Sequence, residues 1–144
     1  MCDNDPLPNN SVSNSGTTKV LIVDDETSLL NLLEAYLTRM GFEVTACTRA
    51  ADGLEIFEND PQRYSFVLAD MNMPDMSGEE LVRRVLKASE NVRVLVCSGF
   101  PVDVSKFGAA GRVGFVQKPF LPRDIEQAIR SLGESAHGAD SAAR

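Results

Sequence analysis

Phe66-Val67-Leu68-Ala69-Asp70-Met71-Asn72-Met73-Pro74 joins an apolar run to a single acid and then directly to a proline-containing loop. An apolar run of about four to eight residues bounded by turn signals reads as a strand buried on both faces. Asp70 then stands where a parallel strand stops, at the carboxyl edge of the sheet, which is where open α/β sheets bind their ligands. Taken alone, Asp70 does no more than end a strand or cap a turn. Three further strand ends carry residues suited to a site, and together they decide the reading.

Upstream, Lys19-Val20-Leu21-Ile22-Val23 is a β-branched apolar run that ends on Asp24-Asp25-Glu26. From Leu29 the period changes: Leu29, Leu33, Tyr36 and Met40 fall on one helical face, with Leu30, Leu32 and Leu37 beside it. Gly41 follows as a helix-stopping C′ glycine. Phe42 to Cys47 reads as a second strand. Residues 49–59 carry Ala50, Leu54 and Phe57 at helical spacing after Thr48, a candidate N-cap, and Asn59-Asp60-Pro61 breaks the pattern. Downstream of Asp70, Ser77 and Glu80 form a capping-box pattern ahead of Leu81, Val82, Val85 and Leu86. Val92 to Cys97 is another buried strand and ends on Ser98-Gly99. Residues 101–111 show little periodicity and predict a short, mobile helix. Val113 to Gln117 is the last strand, followed by Lys118-Pro119-Phe120. Pro122 suits a first helical position, and Ile125, Ala128, Ile129 and Leu132 make the closing amphipathic helix. Five strand–helix alternations with short links predict an α/β fold: a doubly wound parallel sheet, helices on both faces, right-handed crossovers.

The ends of the chain differ from this core. Residues 1–18 are polar and rich in Asn, Ser, Pro and Thr, which predicts a disordered N-terminal segment or linker; the small-residue tail over 133–144 predicts disorder as well. That leaves one domain over 19–132, long enough for a core. A net charge of −7 argues against direct nucleic-acid binding, which needs a basic footprint. No apolar run is long enough to span a bilayer, and no basic region precedes an apolar one at the N-terminus. Cys2, Cys47 and Cys97 do not form a disulfide framework, and Cys47 and Cys97 lie in or beside apolar segments as buried thiols, so a reducing cytoplasm is the expected setting.

Parallel strands put their carboxyl ends on one edge, so Asp24, Asp25, Asp70, Ser98 and Lys118 can converge. Helix N-terminal charge accounts for one or two of the three adjacent acids. All three together repel unless a cation lies among them. The Lys118 ammonium and a hard divalent cation would neutralise them, and magnesium is typically held by one or two carboxylates together with phosphate. Such a site suits phosphoryl chemistry. Asp70 is the carboxylate nucleophile, the metal and Lys118 stabilise charge on the phosphoryl oxygens, and Ser98 hydrogen-bonds one of them.

At these residues the chain resembles the receiver domain of two-component response regulators. The matching pieces are Val23-Asp24-Asp25-Glu26, Asp70 through Gly78, Ser98-Gly99 and Lys118-Pro119-Phe120, in order, over about residues 19–132. The resemblance implies a flavodoxin-like, CheY-like fold with five strands in the order 2-1-3-4-5 and five helices. It implies Asp70 as phosphoacceptor and Mg2+ held by Asp24, Asp25, Asp70 and the backbone carbonyl of Asn72. It further implies Ser98 as switch hydroxyl, Lys118 as phosphoryl partner before a cis peptide to Pro119, and Phe115 as switch aromatic. The phosphoryl donor is a sensor histidine kinase or a phosphotransfer protein, and the domain is a monomer or weak dimer that acts through protein contacts. Three departures stand out: Leu121 occupies a position where the family often has a helix-capping residue, Phe115 lacks the hydroxyl of many switch tyrosines, and the glycine-rich segment 108–114 disfavours the fourth helix.

Several settings fit these residues. The domain is a stand-alone regulator or the receiver module of a hybrid sensor histidine kinase, and the wording of Ser98-Gly99-Phe100 and of Asp70 to Pro74 leans toward the second. An aspartate-nucleophile phosphatase is the alternative from another class. It requires an acid two residues after the nucleophile, where this chain has Asn72. A degenerate receiver serving only as a binding module is the third, set against a full complement of acids, hydroxyl and lysine.

Overall fold

The five apolar runs pair as parallel strands in one sheet of order β2-β1-β3-β4-β5. They are β1 (Lys19–Val23), β2 (Glu43–Cys47), β3 (Phe66–Asp70), β4 (Arg93–Ser98) and β5 (Val113–Gln117). The structure is a computed structural model and describes residues 17–109 and 111–142. The segment expected as a linker over 1–18 therefore lies outside the described residues except for Thr17 and Thr18.

Four α-helices connect and close the sheet: α1 (Thr27–Arg39), α2 (Ala50–Asn59), α3 (Gly78–Ala88) and α4 (Pro122–Ala142). Strand alternation sorts the core into two layers. Leu21, Val23, Val67, Ala69, Val94 and Val96 face the buried residues of α2 and α3. Val20, Ile22, Phe66, Leu68, Leu95 and Cys97 face α1 and α4. β3 lies in the middle of the sheet and all five of its residues are buried, as its unbroken apolar run predicts.

The buried seam of α1 is Leu30-Leu33-Leu37, rotated from the expected Leu29-Leu33-Tyr36-Met40 face, and it leaves Leu32 and Met40 exposed. With leucine at so many adjacent positions, periodicity alone fits either face. Gly41, at φ +101, ends the helix in a Schellman motif, with Phe42 N–H donating to Leu37 O and Gly41 N–H to Thr38 O. Ser77 caps α3 by accepting from the Glu80 amide at 3.0 Å.

Three expectations are corrected. The fourth of the five expected helices is absent among the described residues, and in its place Val104–Phe107 makes one turn of 3₁₀ helix. The stretch has a cap in Asp103, whose carboxylate accepts from Ser105 N–H at 3.0 Å, but it runs into Gly108 at φ +67 before a second turn can form. Phe107 is the only buried residue of that turn, and Arg83 of α3 lies over its ring at 5.2 Å. Second, the expected disordered tail from 133 is helical as far as Ala142, and Gly133 and Gly138 each cost that helix only about 1 kcal/mol relative to alanine. Third, Thr48 does not cap α2: the N-cap position is Arg49, which makes no side-chain capping bond. Leu121, expected as a poor cap for the last helix, is compensated by Asp124, whose carboxylate accepts the Leu121 amide at 2.8 Å.

Candidate functional site

Neighbouring strand ends deliver the acids. β1 and β3 pair with Val23 opposite Ala69, so Asp24 and Asp70 leave the sheet side by side. Carboxylate oxygens of Asp24, Asp25 and Asp70 lie within 4.8 Å of one another. Asp24 and Asp70 are each 4% exposed, while Asp25 opens to solvent. From the end of β5, Lys118 Nζ reaches 2.9 Å from Asp24 Oδ2 and 3.6 Å from Asp70 Oδ1, with Glu26 Oε1 at 4.0 Å. The Lys118–Pro119 peptide is cis.

Backbone amides fix the carboxylates. Glu26 N–H donates to Asp24 Oδ1 at 2.8 Å, and Asn72 N–H donates to Asp70 Oδ1 at 3.2 Å. Asp70 Oδ2 accepts no hydrogen bond among the described residues, which leaves it as the free oxygen of the pair. Ser98 ends β4 at 3% exposure, and its Oγ accepts from Phe100 N–H at 3.0 Å, so its own proton is free to donate. Ser98 and Asn72 line an open cleft of about 640 Å³ that also touches Met71, Gly78, Arg83 and Phe100.

Burial raises the Asp70 carboxyl above the ordinary aspartate value; the Asn72 amide and Lys118 oppose this, and Asp24 and Asp25 add to it. For Lys118 burial pulls the other way, but the hydrogen bond to Asp24 and the charges of Asp24 and Asp70 outweigh it, so the ammonium is held more tightly than usual. A lysine whose folded pKa is raised stabilises the fold fully below its unfolded value, about 10.4, and loses that contribution as pH rises through the folded value. Behind Asp70, burial pushes the Cys97 thiol up to about 12, which keeps it an inert neutral group. Cys47 is buried too, and both thiols are free; Cys2 lies outside the described residues.

One ammonium cannot neutralise three carboxylates. The donor set is all oxygen and includes two buried carboxylates with one more facing solvent, which fits a hard divalent cation such as Mg2+. Asp24, Asp25, Asp70 and Lys118 are thus brought together as expected, with Ser98 and Asn72 at the adjoining cleft. Phe115 lies apart from them, half-buried within β5 opposite Val96 and packed on the core layer shared by α2 and α3.

A family model described as the response regulator receiver domain matches residues 20–130. The chain belongs to that family. Among curated relatives of this receiver domain, the chemotaxis protein CheY of Thermotoga maritima is 29% identical over 119 residues, covering 81% of this chain and 98% of that protein. The probable transcriptional regulator ycf27 of Porphyra purpurea is 33% identical over 115 residues, covering 79% of this chain but 46% of that protein. The receiver thus spans nearly all of the first relative and less than half of the second. Among solved structures, a CheY-like response regulator receiver domain protein from Methanospirillum hungatei JF-1 matches with a TM-score of 0.74 at 29% identity, covering 85% of this chain and 98% of that one. Receiver domains are phosphoacceptors of two-component signalling, and that is the function of this fold here.

Two contacts near the receiver site escaped sequence reading. Glu26 belongs to a visible acidic triplet, yet nothing in its spacing announces the 4.0 Å approach to Lys118. Asp75 bonds to the start of α2, a contact between residues 24 and 25 positions apart with no local signal.

Lys118→Met is expected to slow phosphorylation of the receiver about a hundredfold, the scale of one lost charge-stabilising donor. The check is the initial rate of label incorporation from a small phosphodonor at saturating Mg2+. A rate within twofold of the parent would mean that the ammonium only balances Asp24.

Proposed function

We propose that Asp70 is the phosphoacceptor and that its phosphoryl donor is a phosphohistidine on a sensor histidine kinase or a phosphotransfer protein. One observation carries this reading: a buried carboxylate whose free oxygen stands beside two further carboxylates and an ammonium, at the carboxyl edge of a parallel sheet. Asp70 Oδ2 attacks the phosphorus. An O–P bond forms as the N–P bond breaks, and the electron pair leaves on the donor imidazole. Asp24, Asp25, Asp70 and the Asn72 carbonyl would hold Mg2+, which supplies positive charge to the phosphoryl oxygens when bound.

Lys118 then shares its ammonium between Asp24 and the new phosphoryl group. Ser98 turns its hydroxyl from the Phe100 amide and donates to a phosphoryl oxygen. That shift opens space toward which Phe115 moves. The surface made by the 3₁₀ turn, β5 and α4 changes its preferred conformation, a shift between two pre-existing populations. The domain acts by presenting that surface to a protein partner in the cytoplasm, as a stand-alone regulator or as one module of a longer signalling chain.

The test is Mg2+-dependent phosphorylation by acetyl phosphate. The expected label is acid-stable and labile to hydroxylamine, appears with Mg2+ present, and falls to background when EDTA removes the metal. Equal labelling with and without EDTA would contradict the metal's place among these acids.

A further inference from the structure

We propose that Asp75 is a positioning residue for the metal-binding loop, bracing the Asn72 segment against the first turn of α2. The proposal rests on the reading of the acidic site given above. α2 begins with two amides that its own N-cap residue leaves unserved, since Arg49 makes no side-chain bond. Both are taken by a side chain from elsewhere in the chain: Ala50 N–H donates to Asp75 Oδ1 at 3.2 Å and Ala51 N–H to Asp75 Oδ2 at 2.9 Å. A carboxylate is favoured at that position by the helix dipole as well as by the two bonds. Consistent with this, the amides of Ala51 and Ala50 hold the Asp75 carboxyl below its ordinary range although it is exposed.

The tether closes a circuit around the site. On one side, only Met73 and Pro74 separate Asp75 from Asn72, whose amide bonds Asp70. Met73 is buried and Pro74 has a fixed φ, so little slack lies between the two. On the other side, α2 follows β2 through Thr48 and Arg49, and Cys47 O, at the end of β2, accepts the Asp24 amide at 3.1 Å. The segment bearing Asp24 and the segment bearing Asn72 therefore both hang on the start of α2, and Asp75 is the side chain that joins them. Mg2+ demands near-ideal octahedral geometry, so a loop free to drift weakens binding by the cost of ordering it.

The readout is Mg2+ affinity of the metal-free 144-residue chain by calorimetry, with amide hydrogen exchange and Tm measured alongside. Asp75→Ala is expected to weaken Mg2+ binding about tenfold, the scale of a lost outer-shell partner, and to speed exchange of the Asn72 amide in the absence of metal. Asp75→Asn keeps one acceptor and falls between. Arg49→Ser combined with Asp75→Ala gives α2 a local cap without the tether; it is expected to recover Tm while Mg2+ binding stays weak. Mg2+ affinity within twofold of the parent in Asp75→Ala, or recovered together with Tm in the double variant, would overturn the proposal by reducing Asp75 to a plain helix cap. A parent that binds no Mg2+ at all would overturn the reading of the site itself along with it.

Discussion

Asp70→Asn is expected to take no hydroxylamine-labile phosphoryl label from acetyl phosphate while remaining folded at least as stably as the parent. The carboxamide is a far weaker nucleophile than the carboxylate, and Asp24 and Asp25 do not present the free buried oxygen that Asp70 does. The fold loses little because the asparagine oxygen can still accept the Asn72 amide in the place of Asp70 Oδ1. Stability can rise. A carboxyl whose folded pKa lies above its unfolded value penalises the fold once it ionises, and that penalty is present at neutral pH and relieved as pH falls. Removing the charge removes the penalty and the repulsion from Asp24 and Asp25. Retained label on the variant would exclude Asp70 as acceptor, and a large drop in Tm would mean that its charge is structural.

Gly78→Ala is expected to cost about 3 kcal/mol and about 10 °C in Tm, the upper range of overpacking in a well-filled site. A Cβ at residue 78 would stand 2.4 Å from Met71 Cα and 2.9 Å from Asp70 O. Those are backbone atoms, which cannot swing aside as a side chain can. Gly78 N–H also approaches Met71 O at 3.4 Å, so the loop leaving Asp70 returns on itself at this glycine. Relief must therefore come from moving the stretch that follows the acceptor, and phosphorylation should slow in the portion of the protein that still folds. Urea denaturation of the purified variant checks the stability, and initial labelling rates check the loop. An unchanged denaturation midpoint would show that α3 can shift as a body and that the close approach is not required.

The buried strands were the most legible part of the chain. β3 reads directly from Phe66 to Asp70 because a strand covered on both faces has no polar alternation to misplace. Their carboxyl ends followed, and with them Asp24, Asp25, Asp70, Ser98 and Lys118. The rotation of α1 was not legible, because Leu29, Leu30, Leu32, Leu33 and Leu37 satisfy more than one helical face until a sheet picks among them. The weakness of the fourth helix was legible, because residues 101–111 show little periodicity and 108–114 is rich in glycine, but how the stretch is held was not. That stretch is held by contacts from another element: Lys106 Nζ pairs with Glu79 Oε1 at 3.0 Å, and Arg83 donates to Lys106 O at 3.3 Å. Caps borrowed across the fold, such as Asp75 on α2, leave no trace in local sequence because the helix and its cap are far apart in the chain. The roles of Ser98 and Phe115 as a switch came from family resemblance alone, and in the structure Phe115 occupies an ordinary half-buried strand position.

The account depends most on which carboxylate carries the phosphoryl group. Borohydride reduction of the phosphorylated parent converts an aspartyl phosphate to homoserine, and peptide mass spectrometry then locates it. The expected result is homoserine at position 70 alone, present only after phosphorylation with Mg2+. Homoserine at 24 or 25, or none anywhere in a protein that carries label, would contradict it.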